Sequence, residues 1–476
     1  MPNNHDPIAL FRRSASSWPE REALHVEDAP WSYARFDHWS DAIANSLIAA
    51  GASNERIAIV AHKNASTYAA ILGILKAGCA YMPLHPDGPA ARWERMITIS
   101  GARFIIGAAP SFQHVTPLDI PGPDAPSVKP VHREGDEAYV LFTSGSTGGP
   151  KGVSVSRVNV AAYLGHLLNA YDFNEQDRFT QFFALTFDLS VHDLFVCWGA
   201  GGCLCVPPDD NALRTAAFVR DERISVWFSV PSLPALMDRM RALKPDAFPT
   251  IRHAFFCGEG LSYDTARAFA AAAPSARLTD LYGPTEATIA ITSHELQREL
   301  LDRQGLVPIG KVFPGHKAII DNEELCVAGP QISNGYIGLP DVNATSFSDI
   351  TGTGERWYRT GDRARMDPDG TLHFLGRIDH QLKVSGHRVE PGEVDALLTP
   401  LLSGGRCVTV PVNEGGALRL VTFIDVQHDI SALLSHCRAH LPVYMVPERI
   451  LVNEQLPLTS HGKMDRQQLI AIAQHG

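Results

Sequence analysis

The chain lacks most of what would tie it to a membrane, a metal or a nucleic acid. Its longest apolar runs, such as residues 68–75, fall far short of the roughly 20 residues that a bilayer span needs. The amino-terminal M-P-N-N-H-D-P has neither the basic nor the apolar region of a secretory leader, so a cytoplasmic location is expected. Excess positive charge is missing too. Lys and Arg number 41 against 52 Asp and Glu, and the net charge of −11 argues against non-specific binding to nucleic acid or to an anionic membrane. The eight cysteines form no C-x-x-C pair and sit mostly in apolar surroundings, so buried, reduced thiols are expected rather than a disulfide framework. Twenty histidines show no H-E-x-x-H and no clustered ligand spacing, which leaves no structural zinc site.

What is present is an ordinary globular composition, 45% hydrophobic and 20% charged, on a chain of 476 residues. That length is too great for one core and predicts two or more domains. Helix-like and strand-like segments alternate through the first three-quarters. Residues 40–50, 67–76, 212–221, 232–243 and 266–273 have helical patterns; 56–60, 138–142 and 225–230 read as strands. The rhythm predicts an α/β fold, a large amino-terminal domain of mixed and parallel sheets flanked by helices. No repeat is evident at a period of 20–50 residues. Composition shifts near residue 380, after a strand at 373–376. A strand at 381–384, a helix opened by Pro391 and Glu393, strands at 407–411 and 418–424, a helix at 430–440 and a strand at 449–452 then form a small α+β unit. The expected domains are 1–378 and 379–476. The second holds 8 Lys/Arg against 10 Asp/Glu, so most of the negative charge lies on the first.

Residues 142–152 read F-T-S-G-S-T-G-G-P-K-G. Thr143, Ser144, Ser146 and Thr147 alternate with Gly145, Gly148 and Gly149, and Lys151 follows. Glycines allow close backbone approach to an anion, hydroxyls donate to its oxygens and the lysine supplies charge. After an apolar strand this looks like a phosphate cradle, with a flexible Gly/Ser surface loop as the alternative. It is not a Walker A loop, which needs G-K-[ST] where this chain has Pro150, Lys151 and Gly152.

Other segments follow in a fixed order: K-A-G-C-A-Y-M-P-L-H-P (76–86), F-D-L-S-V-H-D-L-F (187–195), F-F-C-G-E-G (255–260), Y-G-P-T-E (282–286), Y-R-T-G-D (358–362), G-R-I-D-H-Q-L-K-V-S-G-H-R-V-E (376–390), L-P-V-Y-M-V-P (441–447) and T-S-H-G-K-M-D-R (459–466). With the opening loop, this ordered set resembles the adenylate-forming superfamily: acyl-CoA synthetases, luciferases and the amino-acid adenylation domains of nonribosomal peptide synthetases. The resemblance covers essentially the whole chain.

The resemblance implies ATP and Mg²⁺ as cofactors and gives each motif a role. Thr143, Ser144, Gly145, Thr147 and Lys151 would hold the β- and γ-phosphates. In the segment Asp280, Leu281, Tyr282, Gly283 and Pro284, Asp280 would accept from the adenine amino group and Tyr282 would stack on the ring. Thr285 would donate to the α-phosphate and Glu286 would hold the metal. Asp362 would accept both ribose hydroxyls, supported by Arg377. Lys463, on a mobile small domain, would neutralise charge between the attacking carboxylate and the α-phosphate. Asp379 matches the hinge about which that domain rotates, bringing the 383–386 face to the site for a thiol. The implied reaction is in-line attack of a carboxylate on the α-phosphorus, giving an acyl-adenylate and pyrophosphate, then transfer to the thiol.

Asp188 separates the branches. In amino-acid activators this position pairs with the substrate ammonium; the alternative reading is a helix N-cap. The flanking motifs are similar to those of stand-alone D-alanine–carrier protein ligases. The substrate pocket implied by that branch comprises Asp188, Leu189, His192, Leu233, Phe255, Cys257, Gly258, Leu281, Ile289 and Ala290. It is mostly apolar and leaves space for a small, alanine-like side chain. Leu281 and His192 depart from the D-alanine pattern, so glycine, L-alanine, serine, cysteine and proline stay open, as does chirality. His192 reads either as pocket wall or as a substrate contact. His85 replaces a usual Asp, Arg157 a frequent His, and the hairpin at 319–329 is short. No phosphopantetheine-bearing serine motif or condensation motif is seen, so a separate carrier protein and a monomeric ligase are expected. The alternatives are an acyl-CoA synthetase using free CoA and a non-catalytic nucleotide-binding protein.

Overall fold

The structure, a computed structural model, describes residues 5–129, 135–145, 148–208, 212–379, 381–384, 387–414, 417–458 and 464–475. The expected site residues Thr147 and Lys463 lie outside the described residues, as do two positions of the 383–386 face. The chain divides into two compact units. The larger comprises Met1–His85, Ser100–Leu141 and Val153–Ile378; the smaller comprises Pro86–Ile99, Phe142–Gly152 and Asp379–Gly476. The domain expected at 1–378 is not continuous in this division. Two of its segments group instead with the carboxy-terminal residues, because their hydrogen bonds run there. Ser144 donates to the carbonyl of Arg388 at 2.8 Å, and Arg92 pairs with Glu393 at 2.7 Å.

Two large sheets build the larger unit. In the nine-stranded sheet, six parallel strands lie side by side: Glu22–Val26, Cys203–Cys205, Arg178–Thr180, Val226–Ser229, His253–Phe256 and Arg277–Tyr282. Antiparallel strands close both edges. Side chains alternate across this sheet, so Phe228 and Phe255 enter one core cluster and Trp227 and Phe256 enter another. Apolar residues on both faces are what a parallel sheet covered by helices requires. A seven-stranded sheet contains the strands Arg56–Val60, Ala80–Leu84 and Glu137–Thr143, and a five-stranded sheet contains Trp357–Met366 and Leu372–Arg377. In the smaller unit, Cys407–Glu414, Ala417–Ile424 and Arg449–Val452 form a three-stranded sheet, with Leu398, Ile424 and Leu433 in its core.

Local chemistry sets several boundaries that periodicity misplaced. The helix expected from residue 40 begins at Tyr33, where Ser32 accepts from the Arg35 amide and the helix buries Phe36 and Trp39. The helix expected to reach 243 ends at Arg239, and Arg241 takes a positive φ of 56°. The short hairpin is present: Lys317–Asp321 pairs with Glu324–Ala328 across Asn322 and Glu323, both at positive φ as a tight two-residue turn demands. All eight cysteines are free and buried. No helix among the described residues is long and apolar enough to cross a membrane.

Candidate active site

In the larger unit, the strands His253–Phe256 and Arg277–Tyr282 run parallel, with Phe255 beside Thr279 and Phe256 beside Asp280. Cys257 and Gly258 follow the first strand, and Gly283 and Pro284 follow the second. The crevice outside the carboxyl ends of such strands is where open α/β sheets bind ligands. Asp280, Leu281 and Tyr282 are all buried there.

The turn after Tyr282 is held under strain. Thr285–Ala287 makes one turn of 3-10 helix, and Thr288 and Ile289 then take φ values of 55° and 73°. Positive φ is unfavourable for residues with a Cβ, most of all for a β-branched one. Gln331, fully buried, offsets that cost. Its side-chain amide donates to the carbonyls of Ala287, Thr288 and Ala290 at 3.2, 3.0 and 2.7 Å. Gly283 is obligatory, since a Cβ there would sit 2.5 Å from Cα of Ala290.

Three expected nucleotide residues form one connected group. Tyr282 Oη donates to Asp362 Oδ2 at 2.5 Å, and Arg377 donates to Asp362 Oδ1 at 2.7 Å. Arg377 also donates to the carbonyl of Thr360 at 2.9 Å. Burial, then the Asp362 charge, raises the Tyr282 pKa well above its ordinary value, so the phenol stays a donor. Glu286 is fully buried, and its Oε1 accepts from Tyr336 Oη at 2.6 Å. Among the described residues no group of three or more His, Cys, Asp or Glu could hold a metal. A Mg²⁺ carried on nucleotide phosphates needs only one or two carboxylates, and the oxygen chemistry of Glu286 fits that demand.

The expected substrate residues begin the helix Leu189–Ala200. Asp188 occupies its N-cap position with helical φ and ψ, yet its side chain makes no capping hydrogen bond. The carboxylate is buried, and after burial itself it is the charge that raises the phenol pKa values of Tyr81 and Tyr139. His192 lies deeper on the same helix. Its Nδ1 shares a hydrogen bond of 2.6 Å with Tyr163 Oη, and its ring centroid is 4.3 Å from that of Phe228 and 5.5 Å from that of Phe255. Burial lowers its pKa to about 3, so the imidazole is neutral. Leu189, Phe255, Cys257, Leu281, Ile289 and Ala290 share one apolar cluster. Gly258, at φ 91°, approaches it closely; a Cβ would lie 3.5 Å from Leu189 Cδ1. Leu233 is set apart, packing against the second cluster.

In the smaller unit, Gly145 N–H donates to Glu393 Oε2 at 3.2 Å, and Arg92 holds the other oxygen of that carboxylate. The loop amide thus faces an anion, as a phosphate cradle requires. Thr143 Oγ1 is buried with no hydrogen-bond partner among the described residues. Lys151 is buried at the start of the strand Lys151–Ser156. Asp379 is where the chain finally passes from the larger unit to the smaller, and its Oδ1 accepts from Gln381 N at 3.1 Å.

Motif reading missed Tyr163, Gln331, Tyr336 and Arg92. None belongs to a pattern with a chemical signature; each is defined by what lies opposite it in space. Glu393 was legible only as an acidic residue opening a helix.

A family model described as AMP-binding enzyme matches residues 11–337. The chain is 30% identical over 510 residues to a D-alanine–D-alanyl carrier protein ligase of Lacticaseibacillus rhamnosus, covering 98% of this chain and 99% of that protein. It is also 34% identical to each of two plipastatin synthase polypeptides of Bacillus subtilis (strain 168), covering 97% of this chain. It spans only 19% of the length of either one. The fold superposes with a TM-score of 0.85, at 27% identity, on the Vibrio cholerae adenylation domain AlmE in complex with glycyl-adenosine-5'-phosphate, covering 100% of this chain and 98% of that one. The chain belongs to the AMP-binding, adenylate-forming enzyme family.

Proposed function

We propose that the protein activates a small amino acid with ATP, releasing pyrophosphate, and passes the aminoacyl group from its adenylate to the phosphopantetheine thiol of a separate carrier protein. The observation that carries this reading is Asp188. It is a buried carboxylate at a helix start that does no capping, and the other expected pocket residues Leu189, Phe255, Cys257, Ile289 and Ala290 belong to one apolar cluster. A buried carboxylate at this position can take the α-ammonium of an amino acid in a charge-assisted pair. A deaminated acid would bring no such cation.

The bulk of Phe255, Leu281 and Ile289 in that cluster favours a small side chain. The ligase relative that acts on D-alanine and the AlmE complex with a glycyl adenylate support the same class. Tyr282, Asp362 and Arg377 orient the nucleoside, and Thr143, Ser144, Gly145, Thr147 and Lys151 hold the phosphates. Thr285 donates to the α-phosphate, while Asp280 and the peptide groups of Leu281, Gly283 and Pro284 frame the base. Glu286 would hold Mg²⁺, which would supply charge neutralisation on the phosphates. Lys463 bridges the substrate carboxylate and the α-phosphate, and Asp379 is the hinge. Positioning and charge neutralisation carry such a phosphoryl-centre displacement, with little covalent work by the protein.

ATP–pyrophosphate exchange across D- and L-amino acids and their deaminated analogues tests the reading. Exchange with glycine, alanine or serine, lost in Lys463→Ala, is expected. Exchange with deaminated acids, followed by acyl transfer to free CoA, would favour an acyl-CoA synthetase. A preference for large aromatic residues would overturn the small pocket.

A further inference from the structure

We propose that Tyr336 is a positioning residue for Glu286: its phenol holds Oε1 and so fixes the direction of the carboxylate that would take a hard cation. The inference rests on the assignment of Glu286 to Mg²⁺ made above.

A fully buried carboxylate needs a donor, and Tyr336 Oη supplies it at 2.6 Å. The donor is itself held at three points. Asn343 clamps the Tyr336 backbone from both sides, accepting from its amide and donating to its carbonyl, each at 2.8 Å. The ring meets Phe347 edge-on at a centroid distance of 5.6 Å. The hydroxyl lies 3.4 Å from that of Tyr358. Gly335 is required for the approach, since it has φ 103° and a Cβ there would stand 2.7 Å from Asn343 Oδ1. The same segment fixes the Glu286 main chain, with Ser333 N–H donating to the Glu286 carbonyl at 2.8 Å. Backbone and carboxylate of Glu286 are thus set by residues 333–336, which no motif reading connects to it. Partners of this kind, one step behind a ligand, orient it and tune its affinity.

The test is the Mg²⁺ dependence of ATP binding, read by titration calorimetry at a series of Mg²⁺ concentrations, with thermal melting alongside. Tyr336→Phe keeps the ring and removes the donor. It is expected to need about tenfold more Mg²⁺ for half-maximal ATP binding, with affinity restored at saturating Mg²⁺. Tyr358→Phe, which deletes the neighbouring hydroxyl, should leave the Mg²⁺ dependence unchanged. In a Glu286→Gln background, Tyr336→Phe should add nothing. Should Tyr336→Phe fail to fold, Asn343→Ala loosens the same donor and must shift the Mg²⁺ dependence in the same direction. An unshifted dependence in the folded variant, with or without a lower melting temperature, would overturn the proposal, as would an equal shift in Tyr358→Phe. Calorimetry needs no amino acid, so loss of the proposed activity would not disturb this readout.

Discussion

Tyr282 and Asp362 share a 2.5 Å hydrogen bond between the residue expected against adenine and the residue expected on the ribose. With Arg377 on its other oxygen, the Asp362 carboxylate is fixed in direction. Asp362→Ala should therefore raise KM for ATP by about tenfold or more, the scale of losing hydrogen bonds to a charged group. KM for the amino acid should not change. Pyrophosphate-exchange kinetics with each substrate varied in turn will separate the two.

Asp188→Ala is expected to behave differently. Because the side chain does not cap the helix Leu189–Ala200, the variant should not show the capping loss of about 1 kcal/mol. Its KM for the amino acid should rise about tenfold or more, from the lost ammonium pair, while KM for ATP stays put. A drop in melting temperature with unaltered KM would return Asp188 to a structural role.

His192 predicts acid instability. Its folded pKa is about 3 because of burial, against roughly 6.5 in the unfolded chain. Below pH 6.5 the unfolded state takes up a proton that the folded state refuses, so stability is present above that pH and is lost as pH falls toward 3. His166, lowered to about 4 by burial and by His316, adds to the slope. Denaturant melts between pH 7 and 4 should show a steeper loss in the wild type than in His192→Phe.

Asp193 predicts the opposite dependence. It is fully buried, and neither carboxylate oxygen has a hydrogen-bond partner among the described residues. Burial raises its pKa well above the usual range, opposed only in part by Lys63. The folded state keeps the neutral acid where the unfolded state ionises. This contribution is therefore complete below about pH 4 and declines as pH rises above it. Asp193→Asn should melt higher than the wild type at pH 8, with the difference closing toward pH 4.

The thiols give a further check. Burial raises the pKa values of Cys79, Cys197, Cys205, Cys326, Cys407 and Cys437. The native protein should resist alkylation at pH 8, and all eight cysteines should react once it is unfolded. Rapid labelling of the native protein would contradict the packing described.

Elements with strong local signals were legible in the chain. Arg56–Val60 has one apolar run, and Ile430–His440 has an apolar stripe behind the capping Asp429. The nucleotide motifs were legible for a related reason: glycines, hydroxyls and charged groups at fixed spacing along one loop are a local arrangement. The start of the helix at Tyr33 was not legible, because Asp37 and His38 break the stripe that Phe36 and Trp39 complete once the helix meets its neighbours.

By itself the sequence determined the family, the order of the motifs and the residue types that ATP chemistry needs, since these depend on neighbours along the chain. Only the tertiary structure decided which side chains meet. It joined Tyr282 to Asp362, Tyr336 to Glu286 and Tyr163 to His192, pairs separated by 80, 50 and 29 positions. It also moved Leu233 out of the apolar group around Cys257. Such pairings arise from sheet register and close packing, which bring together residues whose spacing in the chain carries no trace of the contact.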